Sequence, residues 1–234
     1  AIAGIAPRKG HIAVGADEDD TGGDRRGAVY VLRLNADGSV KSSTKIASGM
    51  NGAPTLLDFD QFGSSVAALG DFDADGVPDL VVGADQDDTG GSRRGAVYLL
   101  RLNADGSVKS STKIASETNG GPVLASSDYF GSSVASVGDL DGDGVADLAV
   151  GADGSNTGGS NRGAVHVLRL NANGSVKSST KLAHNLNGGP VLENGDFFGS
   201  SVASVGDLDG DGVAELAVGA DLTGGFDHGA IHLL

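Results

Sequence analysis

The 234-residue sequence has no cysteine, no tryptophan, a single methionine and only 4% aromatic residues. Without cysteine, disulfides and thiolate metal sites are excluded. With so few aromatics, the core must be built from Val, Ala, Leu and Ile, with 40 glycines allowing tight turns and close backbone approach. Basic residues are also scarce: 16 stand against 31 acidic ones, for a formal net charge of −15. That balance argues against nucleic acid or an anionic membrane surface as the main partner. No apolar run approaches the ~20 residues of a membrane helix, so membrane insertion is not expected. The opening "AIAGIAPRKG" lacks the basic-then-apolar layout of a signal peptide. It reads as the interior of a repeat, which leaves a targeting segment to sequence upstream.

What is abundant is self-similarity. "FGSSVA" begins at 62, 130 and 198, a spacing of 68 residues (130 − 62 and 198 − 130). "GAD" recurs on the same spacing at 15–17, 83–85, 151–153 and 219–221. "RGAV" stands at 26–29, 94–97 and 162–165, with "HGAI" at 228–231 as the last instance. Each unit divides into four short strands, typified by "FGSSVASVGD", "LAVGAD", "GAVHVLRL" and "SVKSSTKLA" (175–183). The middle strands are apolar on both faces, as strands buried on both sides must be. The fourth alternates and carries Lys177 and Lys181 on one face, as expected of a solvated outer edge. "NADG" at 35–38 and 103–106 and "NANG" at 171–174 are glycine-containing hairpin turns. No segment shows a sustained helical period. The expected fold is therefore all-β: an array of four-stranded antiparallel meanders, each the size of a propeller blade. Such a unit cannot cover both its faces alone, so neighbours must stack on it.

Four blades are expected, at 1–61, 62–129, 130–197 and 198–234. The first lacks the Phe-Gly start and has a short "PRKG" turn in place of an acidic loop. The last stops in its third strand, leaving an open edge that another part of a longer chain or a partner could cover. Phe62, Phe130 and Phe198 open their units and are expected to pack between neighbouring blades.

Three acidic loops carry the candidate chemistry: "DFDADGVPD" (71–79), "DLDGDGVAD" (139–147) and "DLDGDGVAE" (207–215). Oxygens at positions 1, 3, 5 and 9 of such a loop can converge on one hard cation, with a backbone carbonyl between. Calcium takes six to eight oxygen ligands and suits the set better than magnesium, which keeps more of its water. The expected ligands are Asp71, Asp73, Asp75, Asp79 and the Val77 carbonyl. In the second loop they are Asp139, Asp141, Asp143, Asp147 and the Val145 carbonyl. In the third they are Asp207, Asp209, Asp211, Glu215 and the Val213 carbonyl. Three Ca²⁺ sites follow. An EF-hand is excluded, because its position-12 Glu is replaced by Val82, Val150 and Val218 and no flanking helices are expected. A nonapeptide calcium roll is excluded by the 68-residue period.

The combination "FGSSVASVGDLDGDGVADLAVGAD…GAVHVLRL" resembles the FG-GAP repeat of integrin alpha-subunit propellers and of many bacterial surface proteins. The resemblance covers essentially the whole chain. It implies a β-propeller whose calcium loops join the first and second strands of a blade. Two departures stand out. The family's Gly-Ala-Pro is Gly-Ala-Asp here, at Asp17, Asp85, Asp153 and Asp221. Integrin propellers have seven blades, and this chain holds about four.

Other candidates are weaker. The polar loops at 17–27, 85–95 and 153–163 mix acids with Arg25, Arg26, Arg93, Arg94 and Arg162, and suit either local ion pairs or a ligand-binding rim. Their Thr-Gly-Gly lacks the lysine and helix of a phosphate loop. His166 and His232 fill the slot of Tyr30 and Tyr98, which suits packing better than catalysis. No Ser-His-Asp or Cys-His constellation is visible by spacing. The expectation is a non-catalytic, calcium-binding adhesion or interaction scaffold, extracellular or on a cell surface, of bacterial type, for a protein or glycan ligand. The alternative is a self-assembling repeat protein, a homo-oligomer joined through the open C-terminal edge. An enzyme or carbohydrate-binding accessory domain rests on family analogy alone.

Overall fold

The computed structural model describes residues 2–4, 11–223 and 228–234. The "PRKG" turn of the first unit lies outside the described residues. Among those residues every regular element is a strand, and no helix is long and apolar enough to cross a membrane. The first sheet holds β1 (Ile2–Gly4), β2 (His11–Ala16), β3 (Ala28–Leu34) and β4 (Val40–Ala47). The second holds β5 (Phe62–Gly70), β6 (Asp79–Ala84), β7 (Ala96–Leu102) and β8 (Val108–Ala115). The third holds β9 (Phe130–Gly138), β10 (Asp147–Ala152), β11 (Ala164–Leu170) and β12 (Val176–Ala183). The last holds β13 (Phe198–Gly206), β14 (Glu215–Thr223) and β15 (His228–Leu233). Each is an antiparallel meander in chain order.

The double-sided apolar strands explain how the sheets stack. Along β6 and β7, Leu80, Val82, Tyr98 and Leu100 point into a core shared with Val31 and Ile46 of the first sheet. The alternate residues Val81, Val97 and Leu99 point the other way, into a core shared with Phe130, Leu148 and Val150 of the third. A third core joins Val165 and Ala149 to Phe198, Leu216 and Val218. One strand therefore feeds two cores, which is why alternation between polar and apolar residues is missing from its sequence.

The Phe-Gly start is the joint. Phe62, Phe130 and Phe198 are 0% exposed, as packing residues between blades should be. The Phe130 N–H donates to the Arg94 carbonyl at 2.9 Å, so each new sheet begins by bonding to the one before. At the same joint a Cβ on Gly83 would lie 2.1 Å from the Gly131 carbonyl oxygen, so both positions need glycine for the backbones to meet. The Ser65 hydroxyl donates to that same carbonyl at 2.7 Å.

Candidate metal centre

The three acidic loops join β5 to β6, β9 to β10 and β13 to β14. Each is folded by its own carboxylates. Asp139 accepts N–H bonds from Gly142 and Asp143 on Oδ1 (2.8 and 3.1 Å) and from Gly144 on Oδ2 (2.7 Å). The turn closes because Gly144 adopts φ 84°, which a side chain would strain. Asp71 and Asp207 do the same work in their loops. The position-5 acids Asp75, Asp143 and Asp211 each accept the N–H of Val77, Val145 and Val213, at 2.9, 2.9 and 2.8 Å.

The last position of each loop is a buried pin in the first two copies. Asp79 accepts from the N–H of Phe72 and of Leu102, both at 2.9 Å. Asp147 accepts from Leu140 and Leu170, again at 2.9 Å each. One carboxylate thus ties the loop to the far end of the third strand. Burial dominates its ionisation. It pushes Asp79 up to about 6 and raises Asp147 as well, with the N–H bonds opposing and the neighbouring carboxylates reinforcing the rise. Glu215 reaches the N–H of Leu208, but its loop is exposed.

The carboxylates converge as a metal site requires, though not all of them. Ligand atoms of Asp71, Asp73 and Asp79 lie within 4.8 Å of one another, as do those of Asp139, Asp141 and Asp147. In the third loop all four acids, Asp207, Asp209, Asp211 and Glu215, meet this spacing. Asp75 and Asp143 lie outside these sets, and each shares a lysine with a convergent acid. Lys109 Nζ lies 2.8 Å from Asp73 and 2.7 Å from Asp75, and Lys177 Nζ lies 2.8 Å from Asp141 and 3.1 Å from Asp143. The Lys109 ammonium holds Asp75 below the usual carboxylate range. Asp143 is lowered too, first by the Val145 N–H and then by Lys177. Asp73 Oδ1 is left buried with no hydrogen-bond partner, a lone pair that a cation would satisfy. An oxygen-only donor set with this orphan acceptor fits a hard cation.

The lysines correct the sequence reading of the fourth strand. Its Lys177 and Lys181 do not both sit on a solvated edge. Lys177 stays on the exposed edge but also reaches the acidic loop, because the strand runs beside it. Lys181 turns in to the Ser155 hydroxyl at 2.8 Å. The one available signal was that "VKSS" recurs at 40, 108 and 176, on the same 68-residue offset as the loops. Among the described residues the third loop meets no such lysine, and its sheet has three strands.

In the other polar loops Arg93, Arg94 and Arg162 donate to the Tyr129 hydroxyl, the Ser116 hydroxyl and the Asn194 amide oxygen, and the first loop carries ion pairs. Arg26 meets Asp58 at 2.7 Å and Arg25 meets Glu18 at 3.7 Å. The histidines of the tyrosine slot stack edge-on against the joint phenylalanines, His166 on Phe130 and His232 on Phe198, both with centroids 5.6 Å apart.

Residues 62–100, 130–168 and 198–234 each match the family model described as FG-GAP repeat. The chain is 36% identical over 129 residues to human integrin alpha-E, a match covering 53% of this chain and 10% of that protein. It is 32% identical to Xenopus laevis integrin alpha-4 over 163 residues, or 69% of this chain and 14% of the relative. Human integrin alpha-11 is 32% identical over 207 residues, 84% of this chain and 16% of the relative. The chain thus spans only 10–16% of the length of these relatives.

Proposed function

Because the chain belongs to the FG-GAP repeat family, we propose that it is a non-catalytic, calcium-stabilised scaffold for adhesion or interaction, working outside the cell or on its surface. The calcium loops staple the hairpins between the first and second strands of each unit, and the exposed loops offer the contact surface to a protein or glycan ligand. The observation that carries this reading is the threefold convergence of carboxylates within 4.8 Å, with the orphaned Asp73 oxygen among them. Asp71, Asp73 and Asp79 hold one ion, and Asp139, Asp141 and Asp147 a second. Asp207, Asp209, Asp211 and Glu215 hold the third. The Val77, Val145 and Val213 carbonyls complete the sets. Asp75 and Asp143 join by exchanging their lysine for the ion. Extracellular calcium is abundant enough to fill sites of even ~10⁻³ M affinity.

The test is thermal unfolding in calcium, in magnesium and in excess chelator. A ligand that binds only the folded state adds about 4 kcal/mol at ~1,000 times its Kd. The melting temperature should therefore rise clearly with calcium and less with magnesium. Identical melting in calcium and chelator would sink the proposal.

A second reading has its own observation. β15 is the outermost strand of a three-stranded sheet, and Ile231 and Leu233 on it are 76% and 64% exposed. An unpaired edge of this kind suits pairing with a second copy of the chain. Molar mass measured over a concentration series should rise with concentration. A constant monomer mass rejects this reading.

A further inference from the structure

A polar corner recurs beside each joint phenylalanine, and in the third unit it has lost its anion. In the second unit Asp87 fills it. Its Oδ2 accepts from Lys113 Nζ at 2.5 Å and from the Tyr98 hydroxyl at 3.2 Å, and its Oδ1 accepts from the Thr89 N–H at 2.8 Å. Lys113 also reaches the Thr89 hydroxyl at 2.6 Å. The first unit repeats the arrangement with Asp19, Lys45, Tyr30 and Thr21. The third unit keeps the lysine and threonine, as Lys181 and Thr157, but has Ser155 for Asp87 and His166 for Tyr98.

Both changes reduce the hydrogen bonding of buried polar groups. His166 is 2% exposed, and neither of its ring nitrogens has a hydrogen-bond partner. Its ring keeps the tyrosine pose: the interplanar angle to Phe130 is 82°, against 80° for Tyr98 on Phe62. The imidazole is shorter than the phenol it replaces, so its nitrogens stop short of the place the Tyr98 hydroxyl reaches. Half-buried Lys181 makes its hydrogen bond to Ser155 Oγ; the Asp128 charge acts on it, but among the described residues no carboxylate forms an ion pair with it. An aspartate and a tyrosine replaced by serine and histidine remove about four heavy atoms from a region packed to interior density. Beside it lies a surface cleft of ≈ 350 Å³, larger than these four atoms alone would leave, lined by Ala125, Asp128, Ser155, Asn156, Thr157 and Lys181.

We propose that this corner of the third unit binds a small carboxylate of acetate size, seated where the Asp87 carboxylate sits in the second unit. Lys181 would donate to it, with Ser155 and Thr157 closing the side and the shorter His166 ring reaching it through a bridging water. Asp128 also lines the cleft, buried and with its Oδ1 unpartnered, but a buried carboxylate there does not forbid an anion. Its counterpart Asp60 is equally buried and stands beside Asp87 in the second unit, and each binds its own loop, Asp60 to the Leu57 N–H and Asp128 to the Ala125 N–H. The site is independent of the calcium loops.

The probe is sodium acetate, titrated at fixed ionic strength and fixed calcium while the ¹⁵N signals of the His166 ring are followed. The signals should move saturably, and the melting temperature should rise with acetate. Ser155→Asp supplies the carboxylate covalently. It should raise the melting temperature without acetate and abolish the response to it. Lys181→Met should also abolish the response, and its unchanged strand spectrum would show that it still folds. A blocked aspartate, titrated in parallel, separates the two sources of the same chemistry. Tighter binding than acetate assigns a partner's side chain, and weaker binding assigns a free anion. His166 signals that stay still with both probes, or an acetate response that survives in Ser155→Asp, would overturn the proposal.

Discussion

Asp147→Ala separates what the acidic loop does for the fold from what it does for a metal. Its carboxylate is fully buried and accepts two backbone N–H bonds at 2.9 Å, from Leu140 in the loop and from Leu170 at the end of β11. Hydrogen bonds to a charged group are worth about 1.5–3 kcal/mol each, so the pair contributes about 3–6 kcal/mol. Part of that offsets the burial of the charge, which is why the ionisation of Asp147 is raised. A net loss of about 2–4 kcal/mol is expected for the alanine variant. For a chain of this size that lowers the melting temperature by about 5–12 °C. The measurement is made in chelator, so no metal contributes. Amide exchange should quicken at Leu170, which is buried and would lose its acceptor. Asp143→Ala is the control: its side chain is exposed to solvent and pairs with Lys177, so in chelator it should change little. In calcium both variants should lose the stabilisation of their own loop while the other loops keep theirs. If Asp147→Ala in chelator melts like Asp143→Ala, the pin is not structural and the reasoning fails.

Two further predictions concern charge. Lys177→Met removes a cation held 2.8 Å from a proposed ligand, and calcium should bind its loop roughly tenfold more tightly, by Coulomb's law across ~5 Å of water-like dielectric. Calorimetric titration showing unchanged or weaker affinity would reject the exchange of lysine for ion. Burial pushes Asp60, Asp85 and Asp153 up to about 6, with the mutual charge of Asp85 and Asp153 adding to the rise of Asp85. Between the ordinary carboxylate range and that value, the folded protein holds protons that the unfolded chain has released. Stability must then fall as pH rises through this window and level off above it. Metal-free protein should melt higher at about pH 5 than at about pH 7; the opposite order would show that these carboxylates are not buried as described.

Much of the fold was legible because it is local and repeated. The hairpin turn "NANG" and the strands on either side of it are set by backbone preferences within a few residues, and the 68-residue period fixes how many units there are. The both-sided apolar pattern of "GAVHVLRL" announced burial between two neighbours, and the paired cores that share β6 and β7 bear it out. The missing fourth strand of the last sheet was legible for the same reason. The pairing of charges was not. Lys109 lies 34 residues from Asp75 and Lys177 lies 34 from Asp143, and nothing in either stretch alone says that they meet. They meet because the fourth strand of a meander folds back beside the loop of the first hairpin.

By itself, then, the sequence determined the unit, its strands and the crowding of acids at three turns, since these depend on dihedral preference and periodicity. Only the tertiary structure decided which acids converge, that a lysine bridges a converging acid to one outside the set in two loops, and that Asp147 is a buried pin to Leu170 rather than one more exposed ligand. It also brought Ser155 and Lys181 into one corner beside His166, with no carboxylate at the place Asp87 takes in the second unit. Side-chain electrostatics act across a few ångströms of space, and strand order, not sequence distance, sets which groups share that space.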